Sequence, residues 1–138
     1  KMLDSLQTIA NRYARERDCF GDTGTACISC GKWFPFEELD GGHYVPATAT
    51  HSALRFDERN INAQCHKCNR FLHANLRGYF RGLEKKLGRD GLDDLEAADG
   101  PKKWTKEEID ELKLYYKRKL ADLRAGIPPT TVADNPFA

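Results

Sequence analysis

Residues 27–31 read CISCG and residues 65–69 read CHKCN, so two Cys-x-x-Cys pairs are separated by the 34 residues 31–64. Each such turn presents two sulfur atoms to one ion. Two turns that meet close a tetrahedral Zn²⁺ site and leave no position for substrate. The pattern predicts a structural zinc site, with unligated thiols or disulfides as the alternatives. Its predicted ligands are Cys27, Cys30, Cys65 and Cys68.

Composition limits the classes of function. The chain has 138 residues, with 22 Lys and Arg against 21 Asp and Glu and a formal net charge of +1. Such a chain exerts no global field on nucleic acid or membranes, so an electrostatic function must come from uneven charge distribution. No apolar run approaches the roughly 20 residues of a membrane span. No secretory leader opens the sequence, so we expect a reducing compartment and a metal site rather than disulfides.

Apolar spacing predicts the elements around the cysteines. An amphipathic helix is predicted over residues 3–17, and a second helix over 69–87 that stops at Gly88. Two short strands are predicted at 42–46 and 60–64, before the second cysteine pair. Gly78 and Gly82 interrupt the second helix and indicate a bend or the close approach of another backbone or helix.

A final helix is predicted to begin at a capping box of Thr105 and Glu108 and to end at Gly126. Lys1 before Met2 indicates a fragment of a longer chain. The predicted organisation has four parts: an N-terminal helical arm (1–25), a zinc-binding core (26–90), an acidic linker with the C-terminal helix (91–126), and a flexible tail (127–138). Cys19 is expected to be a packed or exposed thiol outside the metal site.

Five side chains on this frame form a candidate site for phosphodiester hydrolysis: Asp40, His43, Asn60, Asn69 and His73. His43 can activate water because imidazole titrates near neutral pH. Asn69 and His73 stand four residues apart in the predicted helix, so we expect both on one face, reaching one cation together with Asp40. Mixed oxygen and nitrogen ligands suit a catalytic Mg²⁺ or Mn²⁺.

Each of these residues taken alone has a structural interpretation. His43 can cap a turn, Asn60 can bind backbone, and His73 can pack over the helix. His51 and His66 lack such a context and are predicted to be structural, with a phosphate contact as the lesser alternative.

Charge is unevenly distributed along the chain. Residues 66–89 hold seven Lys and Arg against one acid, Glu84. This asymmetry predicts a surface that binds the DNA backbone, with a solvated helix face as the alternative. The predicted DNA contacts are Lys67, Arg70, Arg77 and Arg81.

Four stretches carry a family resemblance: CISCG at 27–31, DGGHYVPA at 40–47, LRFDERNINAQC at 54–65 and CNRFLHANL at 68–76. With them the chain resembles the HNH, or ββα-metal, endonucleases that have a four-cysteine zinc site. More narrowly, it resembles the lambdoid-phage NinG (Rap) recombination proteins over about residues 3–124.

The resemblance implies an α+β fold, a small zinc-stapled ββα-metal (HNH-like) core with N- and C-terminal helices. It implies a metal-dependent endonuclease that cuts Holliday junctions and D-loops in phage homologous recombination, in the cytoplasm of the bacterial host. By position, His43 is the general base and Asn60 braces the hairpin and orients that base. Asn69 and His73 are the metal ligands on the helix.

The sequence departs from the common HNH pattern at two positions. Gly42 stands where many relatives have a metal-binding Asp or His, and Asp40 is our substitute for it. Asn69 stands where many relatives have a histidine, which favours a hard ion. Asp57 is a second carboxylate candidate, although its place in a turn before Asn60 favours a structural role.

Three other functions fit parts of the pattern. They are a non-catalytic zinc module that binds branched DNA and recruits other recombination proteins, an HNH nicking or restriction enzyme, and a zinc-finger transcription regulator. A homodimer is a further hypothesis, because resolving a junction takes two cuts. The apolar faces of the first and last helices either pair between copies or pack onto the core of their own chain.

Overall fold

The computed structural model describes residues 2–129 of the chain. Helices and two-stranded sheets make up these residues, which confirms the α+β prediction. The helices are α1 (Met2–Asp18), α2 (His66–Arg70), α3 (Leu76–Ala97) and α4 (Lys106–Arg124). The strands are β1 (Gly24–Ala26), β2 (Trp33–Pro35), β3 (Leu39–His43) and β4 (Ile61–Cys65). Short 3-10 turns lie at Phe36–Glu38, Ser52–Leu54 and His73–Asn75.

The β3–β4 hairpin is the centre of the fold. It is antiparallel, with Leu39 opposite Cys65 at one end and His43 opposite Ile61 at the other. The predicted strand 60–64 lies within one residue of β4, but the predicted strand 42–46 begins three residues too late. The start of β3 was missed because Gly41 and Gly42 have low strand propensity. They are needed because a Cβ at Gly41 would meet α1 at 2.8 Å and one at Gly42 would meet a β4 side chain at 1.8 Å.

Helices α1 and α4 pack together over one face of this hairpin. Leu6, Ala10 and Tyr13 of α1 share a buried cluster with Ile109 and Tyr116 of α4. Phe56 and Ile61 complete that cluster from the hairpin side. The apolar faces of the first and last helices are therefore buried within one chain, as one of the two interpretations of the sequence required.

Two residues at the end of α1 attach it to β4. The Arg17 Nη2 donates to the carbonyl of Ile61 at 2.7 Å, and the Asp18 Oδ2 accepts from the N–H of Ala63 at 2.8 Å. At the other end of the chain, the predicted capping box is confirmed. The N–H of Glu108 donates to Thr105 Oγ1, and the N–H of Thr105 donates to Glu108 Oε1.

Helix α3 packs closely against the first cysteine turn. A Cβ at Gly78 would lie 2.1 Å from the Ser29 carbonyl oxygen, and one at Gly82 would lie 2.1 Å from that of Ile28. The two glycines, four residues apart, form a groove that admits this backbone. The prediction of a close approach at these positions is confirmed.

The predicted continuous helix over 69–87 is wrong. Helix α2 ends at Arg70, and α3 begins at Leu76. Between them His73, Ala74 and Asn75 all have positive φ, of 48°, 67° and 46°. Tertiary contacts outweigh local propensity here, because the Ala74 carbonyl accepts hydrogen bonds from Gln64 Nε2 at 2.6 Å and Ser29 Oγ at 3.0 Å.

The acidic segment after Gly88 is helical rather than a linker as far as Ala97. Gly88 has φ 76° and ψ 166°, so the predicted stop is a kink after which the helix resumes. Leu92 and Leu95 are fully buried in a cluster with Tyr79 and Leu83, from the part of α3 before the kink, and with Leu54. Burial of these two leucines explains why the acidic segment folds onto the core. Of the predicted flexible tail, residues 130–138 lie outside the described part.

Candidate functional site

The two cysteine pairs meet in space. The sulfur atoms of Cys27, Cys30, Cys65 and Cys68 all lie within 4.8 Å of one another. Cys30 is exposed and the other three are buried. Four sulfur atoms at this spacing can hold a metal ion such as zinc, which agrees with the prediction from the sequence.

Backbone N–H groups surround the sulfur atoms. The Cys27 Sγ accepts from the N–H of Ser29 at 3.4 Å and from that of Cys65 at 3.3 Å. Burial acts to raise the pKa of Cys27, but backbone hydrogen bonds outweigh it and lower that pKa. Burial raises the pKa of Cys30 and Cys65, so a bound cation is what would hold them as thiolates.

The fifth cysteine does not belong to this group. Cys19 is buried beside Leu39 and Ala63, and burial raises the pKa of its thiol to about 11. It is a packed thiol, one of the two outcomes that the sequence allowed. Within residues 2–129, the four-cysteine set is the one group of three or more His, Cys, Asp or Glu placed to hold a metal.

Asn60 ties together the loop that separates β3 from β4. Its side chain is fully buried. The Nδ2 donates to the carbonyl oxygens of Val45 at 3.0 Å and Leu54 at 3.1 Å, and the Oδ1 accepts from the N–H of Val45 at 2.9 Å. Both ends of the 45–54 loop are therefore held by one amide. That Asn60 orients a catalytic base stays a prediction.

His43 closes the other end of β3. Its Nε2 lies 2.9 Å from the carbonyl oxygen of Arg55. A carbonyl only accepts, so Nε2 carries the proton and Nδ1 is the basic nitrogen. Among residues 2–129, no hydrogen bond to Nδ1 is present. Burial lowers the pKa of His43, and the positive charge of Arg55 lowers it further against the opposing effect of the carbonyl hydrogen bond.

Asp40 is the centre of a polar cluster between β3 and α2. Its Oδ2 accepts from Asn69 Nδ2 and from Arg70 Nε, each at 3.0 Å, and its Oδ1 accepts from Arg70 Nη2 at 2.9 Å. The His66 Nε2 lies 3.4 Å from the same carboxylate. Burial acts to raise the pKa of Asp40, but these partners outweigh it and lower that pKa.

Asp40 and His43 lie on opposite faces of the hairpin. Side chains alternate along a strand, so residues three apart leave on different sides. Asp40 faces α2, whereas Ile61, the partner of His43, packs into the α1–α4 cluster. A cation at Asp40 and the imidazole of His43 are therefore separated by the hairpin itself.

His73 does not share a helix face with Asn69. It is exposed in the left-handed turn after α2, with φ 48°. The expectation that both project from one helix face is wrong for the same reason that the continuous helix is wrong. Asn69 instead contacts Asp40, so two of the three predicted ligands of the catalytic metal lie side by side.

The predicted DNA contacts divide into two groups. Lys67, Arg77 and Arg81 are exposed, and no ion pair of theirs occurs within residues 2–129. Arg70 forms a bidentate pair with Asp40. All four predicted contacts are exposed, and the charge of Arg70 is partly neutralised by its acidic partner.

Three groups that hold the candidate site residues in place were not predicted from the sequence. The Arg55 carbonyl fixes the tautomer of His43, Gln64 fixes the turn at Ala74, and His66 joins the Asp40 cluster. A carbonyl and a buried amide leave no motif in a sequence. The His66 contact could have been anticipated, because His66 begins a helix beside the strand that carries Asp40.

None of the helices within residues 2–129 combines the length and the apolar character that crossing a bilayer requires.

Comparison with known proteins identifies a family. The Bacteriophage Lambda NinG protein family matches residues 1–125. Relatives named Protein ninG include those of Escherichia phage lambda, 39% identical over 122 residues, and of Salmonella phage P22 and Escherichia phage 933W, each 40% identical over 122 residues. Each match covers 88% of this chain but 57–58% of the relative, so the chain spans less than two thirds of these proteins. No solved structure matches the chain.

Proposed function

The chain belongs to the bacteriophage lambda NinG family, and from this premise we propose that it is a metal-dependent endonuclease that cuts branched DNA in phage homologous recombination. One observation carries the proposal. His43 has its Nε2 tied to the Arg55 carbonyl, which leaves Nδ1 as a basic nitrogen with a lowered pKa. An imidazole held in one tautomer and kept neutral is suited to general-base catalysis.

The order of elements supports an HNH-like core. An antiparallel hairpin, β3–β4, is followed directly by α2, and the cysteine set joins the start of α2 to the first cysteine turn. Asn60 braces the loop between the two strands. Zinc in the cysteine set would be structural, because four thiolates close its coordination shell.

The chemical step follows from the tautomer of His43. Nδ1 takes a proton from a water molecule, and the water oxygen attacks the phosphorus of a phosphodiester. The bond from phosphorus to the 3′ oxygen breaks, and that oxygen takes a proton from solvent. The products are a 5′ phosphate and a 3′ hydroxyl.

Asn60 acts as a positioning residue in this scheme. It donates to the carbonyl of Leu54, whose neighbour Arg55 supplies the carbonyl that holds His43. The Asn60 side-chain amide thus positions the backbone at Leu54 and Arg55, and the Arg55 carbonyl in turn orients the imidazole of His43. A residue in this role changes the rate of the reaction without touching substrate.

Mg²⁺ or Mn²⁺ is the proposed catalytic cofactor. Asp40 and Asn69 offer the oxygen donors that such ions prefer, and the Asn69 Nδ2 donates to the Asp40 Oδ2 at 3.0 Å, whereas His73 stands on a separate turn. The fit is incomplete, because Arg70 occupies the carboxylate of Asp40 and because Asp40 and His43 lie on opposite faces of the hairpin. A cation held there would stabilise negative charge on a phosphate that reaches this face.

Lys67, Arg77 and Arg81 are the proposed contacts to the DNA backbone. Arg70 is a fourth proposed contact, but it would first have to leave its ion pair with Asp40. We extend the proposal to a homodimer, to contacts with other recombination proteins, and to the cytoplasm of the bacterial host as the place of action. Two cuts across a junction are the reason for the dimer, although the α1–α4 faces are already buried within one chain.

One observation favours a second candidate, the non-catalytic zinc module that binds branched DNA. Asp40, the proposed carboxylate ligand, is held by Arg70, Asn69 and His66. A binding module needs the cysteine set and the basic surface but has no use for the basic nitrogen of His43.

Cleavage of a labelled four-way junction, beside a linear duplex of the same sequence, separates the two candidates. Wild type and His43→Ala are each incubated with Mg²⁺, with Mn²⁺ or with no added divalent ion. We expect ion-dependent cleavage of the junction that is lost in His43→Ala at unchanged zinc content. Junction binding by wild type without cleavage in any ion would favour the binding module, and equal cutting of both DNAs would favour a nicking or restriction enzyme.

A further inference from the structure

The turn between α2 and α3 exposes an unusual amount of apolar surface. Phe71 is 75% exposed, Leu72 44% and Leu76 49%. These three residues lie within six positions of one another, directly after the second cysteine pair. An exposed apolar cluster of this kind marks a binding surface more often than an isolated exposed side chain does.

Basic residues flank the cluster in the sequence and lie next to Phe71. By contrast, Leu76 shares a surface pocket with Glu96 and Asp99, and Leu72 shares one with Glu38. Residues 66–83 contain no Asp or Glu and carry Lys67, Arg70, Arg77 and Arg81. An apolar side chain rimmed by cations is complementary to a base flanked by its phosphates. It is a poor match to the interior of a lipid bilayer or to a basic partner.

The turn is held in a strained and fixed shape. His73, Ala74 and Asn75 adopt left-handed backbone conformations, which residues other than glycine rarely adopt. Gln64 and Ser29 bind the Ala74 carbonyl, and Asn75 Nδ2 donates to Cys68 Sγ at 3.5 Å. A rigid support lowers the entropic cost of inserting a side chain into a ligand, and strain of this kind concentrates at functional sites.

We infer that Phe71, with Leu72 beside it, is a wedge that stacks on unpaired or unstacked bases where DNA strands branch. The inference rests on the proposed action on branched DNA. Phe and Leu side chains can enter a base step by displacing base–base stacking. A branch point has already lost part of that stacking, so insertion costs less there than in a continuous duplex. The wedge therefore supplies preference for branched DNA, while the basic side chains bind any DNA backbone.

Binding measured without added Mg²⁺ or Mn²⁺, and without chelator so that the cysteine set keeps its metal, tests the inference. The probes are a four-way junction with 2-aminopurine at the branch and a linear duplex of the same sequence. Phe71→Ala should weaken junction binding about 5- to 150-fold, the range for loss of one aromatic–base stack. It should leave the affinity for linear duplex unchanged and remove the change in 2-aminopurine fluorescence.

Two further variants sharpen the test. Phe71→Trp should retain junction affinity, because the stacking surface remains. Leu114→Ala, at a residue 54% exposed on α4, is the matched control and should change neither affinity. Equal loss on junction and duplex, no loss on either, or a wild type without junction preference would overturn the inference. So would a change in mass by light scattering in Phe71→Ala, which would make the surface an interface between copies.

Failure of the wedge and failure of the nuclease proposal are distinguishable. If junction cleavage requires His43 but is unchanged in Phe71→Ala, the wedge is contradicted and the nuclease proposal is not. If junction-selective binding requires Phe71 but no cleavage occurs with any ion, the nuclease proposal is contradicted and the wedge is supported.

Discussion

At one end of the β3–β4 hairpin Leu39 pairs with Cys65 beside the cysteine set, and at the other end His43 pairs with Ile61. The cysteine end is complete in itself. Four sulfur atoms converge, and backbone N–H groups solvate them. The His43 end holds one basic nitrogen, fixed by a single carbonyl.

The difference shows how the two kinds of site are built. A structural metal site needs every ligand from the chain, so its residues can be recognised together in the sequence. A site that acts on a substrate leaves part of its coordination and hydrogen bonding to that substrate. If the His43 end is such a site, as we propose, it is positioned by residues such as Asn60, which leave no metal-ligand pattern in the sequence.

The largest expected effect comes from breaking the cysteine end. Cys68→Ser should unfold the protein, because structural zinc can supply a binding energy of about 10 kcal/mol or more, comparable to the whole stability of a small domain. Zinc content and circular dichroism would measure the loss. Cys19→Ser is the matched control, since Cys19 is buried outside the set. Equal thermal stability of Cys68→Ser and Cys19→Ser would contradict a structural metal.

The next effect comes from removing the brace at the His43 end. Asn60→Ala removes three hydrogen bonds, two to the backbone of Val45 and one to the Leu54 carbonyl, which keeps its bond from the Asp57 N–H. At about 1 kcal/mol each, we expect a loss of about 3 kcal/mol in the free energy of unfolding. Urea unfolding would measure it, with zinc content unchanged. Asn60→Asp keeps the acceptor for Val45 N–H but loses both donors. If both variants unfold at the same urea concentration as wild type, the Asn60 hydrogen bonds do not contribute to the free energy of unfolding.

The pH dependence of cleavage probes the base itself. Burial lowers the pKa of His43 below its ordinary value of about 6.5, so the neutral form persists into mildly acidic solution. The rate should be level near neutral pH and fall about tenfold per pH unit below that lowered pKa. The stability that His43 contributes is present above the ordinary value and is lost as pH falls through the folded pKa. A rate that already falls above pH 7 would show that another group is titrating; zinc content across the range is the control.

The smallest effects concern single phosphate contacts. Arg77→Ala and Arg81→Ala should each reduce the slope of log affinity against log salt by about one. Arg70→Ala should reduce it less, because Asp40 already pairs with Arg70. Filter binding over a salt series would measure the three slopes. A larger change for Arg70 than for Arg77 would mean that Asp40 releases Arg70 to DNA, which is also what metal binding at Asp40 requires.

The sequence predicted what depends on local chemistry. Cysteine spacing located the metal site, apolar periodicity located α1 and α4, and the Thr105–Glu108 pair located a helix start. Gly78 and Gly82 correctly indicated the close approach of another backbone. Each of these signals lies within a few residues or follows from the geometry of one element.

What the sequence missed depends on distant partners. The apolar stripe of the expected helix continues through residues 72–76, but Gln64 and Ser29 bind the Ala74 carbonyl and break the helix there. The separation of Asp40 from His43 follows from strand alternation only because β3 begins at Leu39, and the predicted strand at 42–46 left Asp40 outside it. The contact of His43 with the Arg55 carbonyl could not be predicted from the sequence, because every residue has a backbone carbonyl.

The packing of α1 against α4 has a consequence for synthesis on the ribosome. α1 is complete at Asp18, but its partner begins at Lys106, so nearly ninety residues must be translated before the two helices meet. At roughly 5–20 residues per second, that interval is about 4 to 18 s. During it the face with Leu6, Ala10 and Tyr13 has no α4 to cover it, so apolar surface that the folded protein buries stays exposed on the nascent chain.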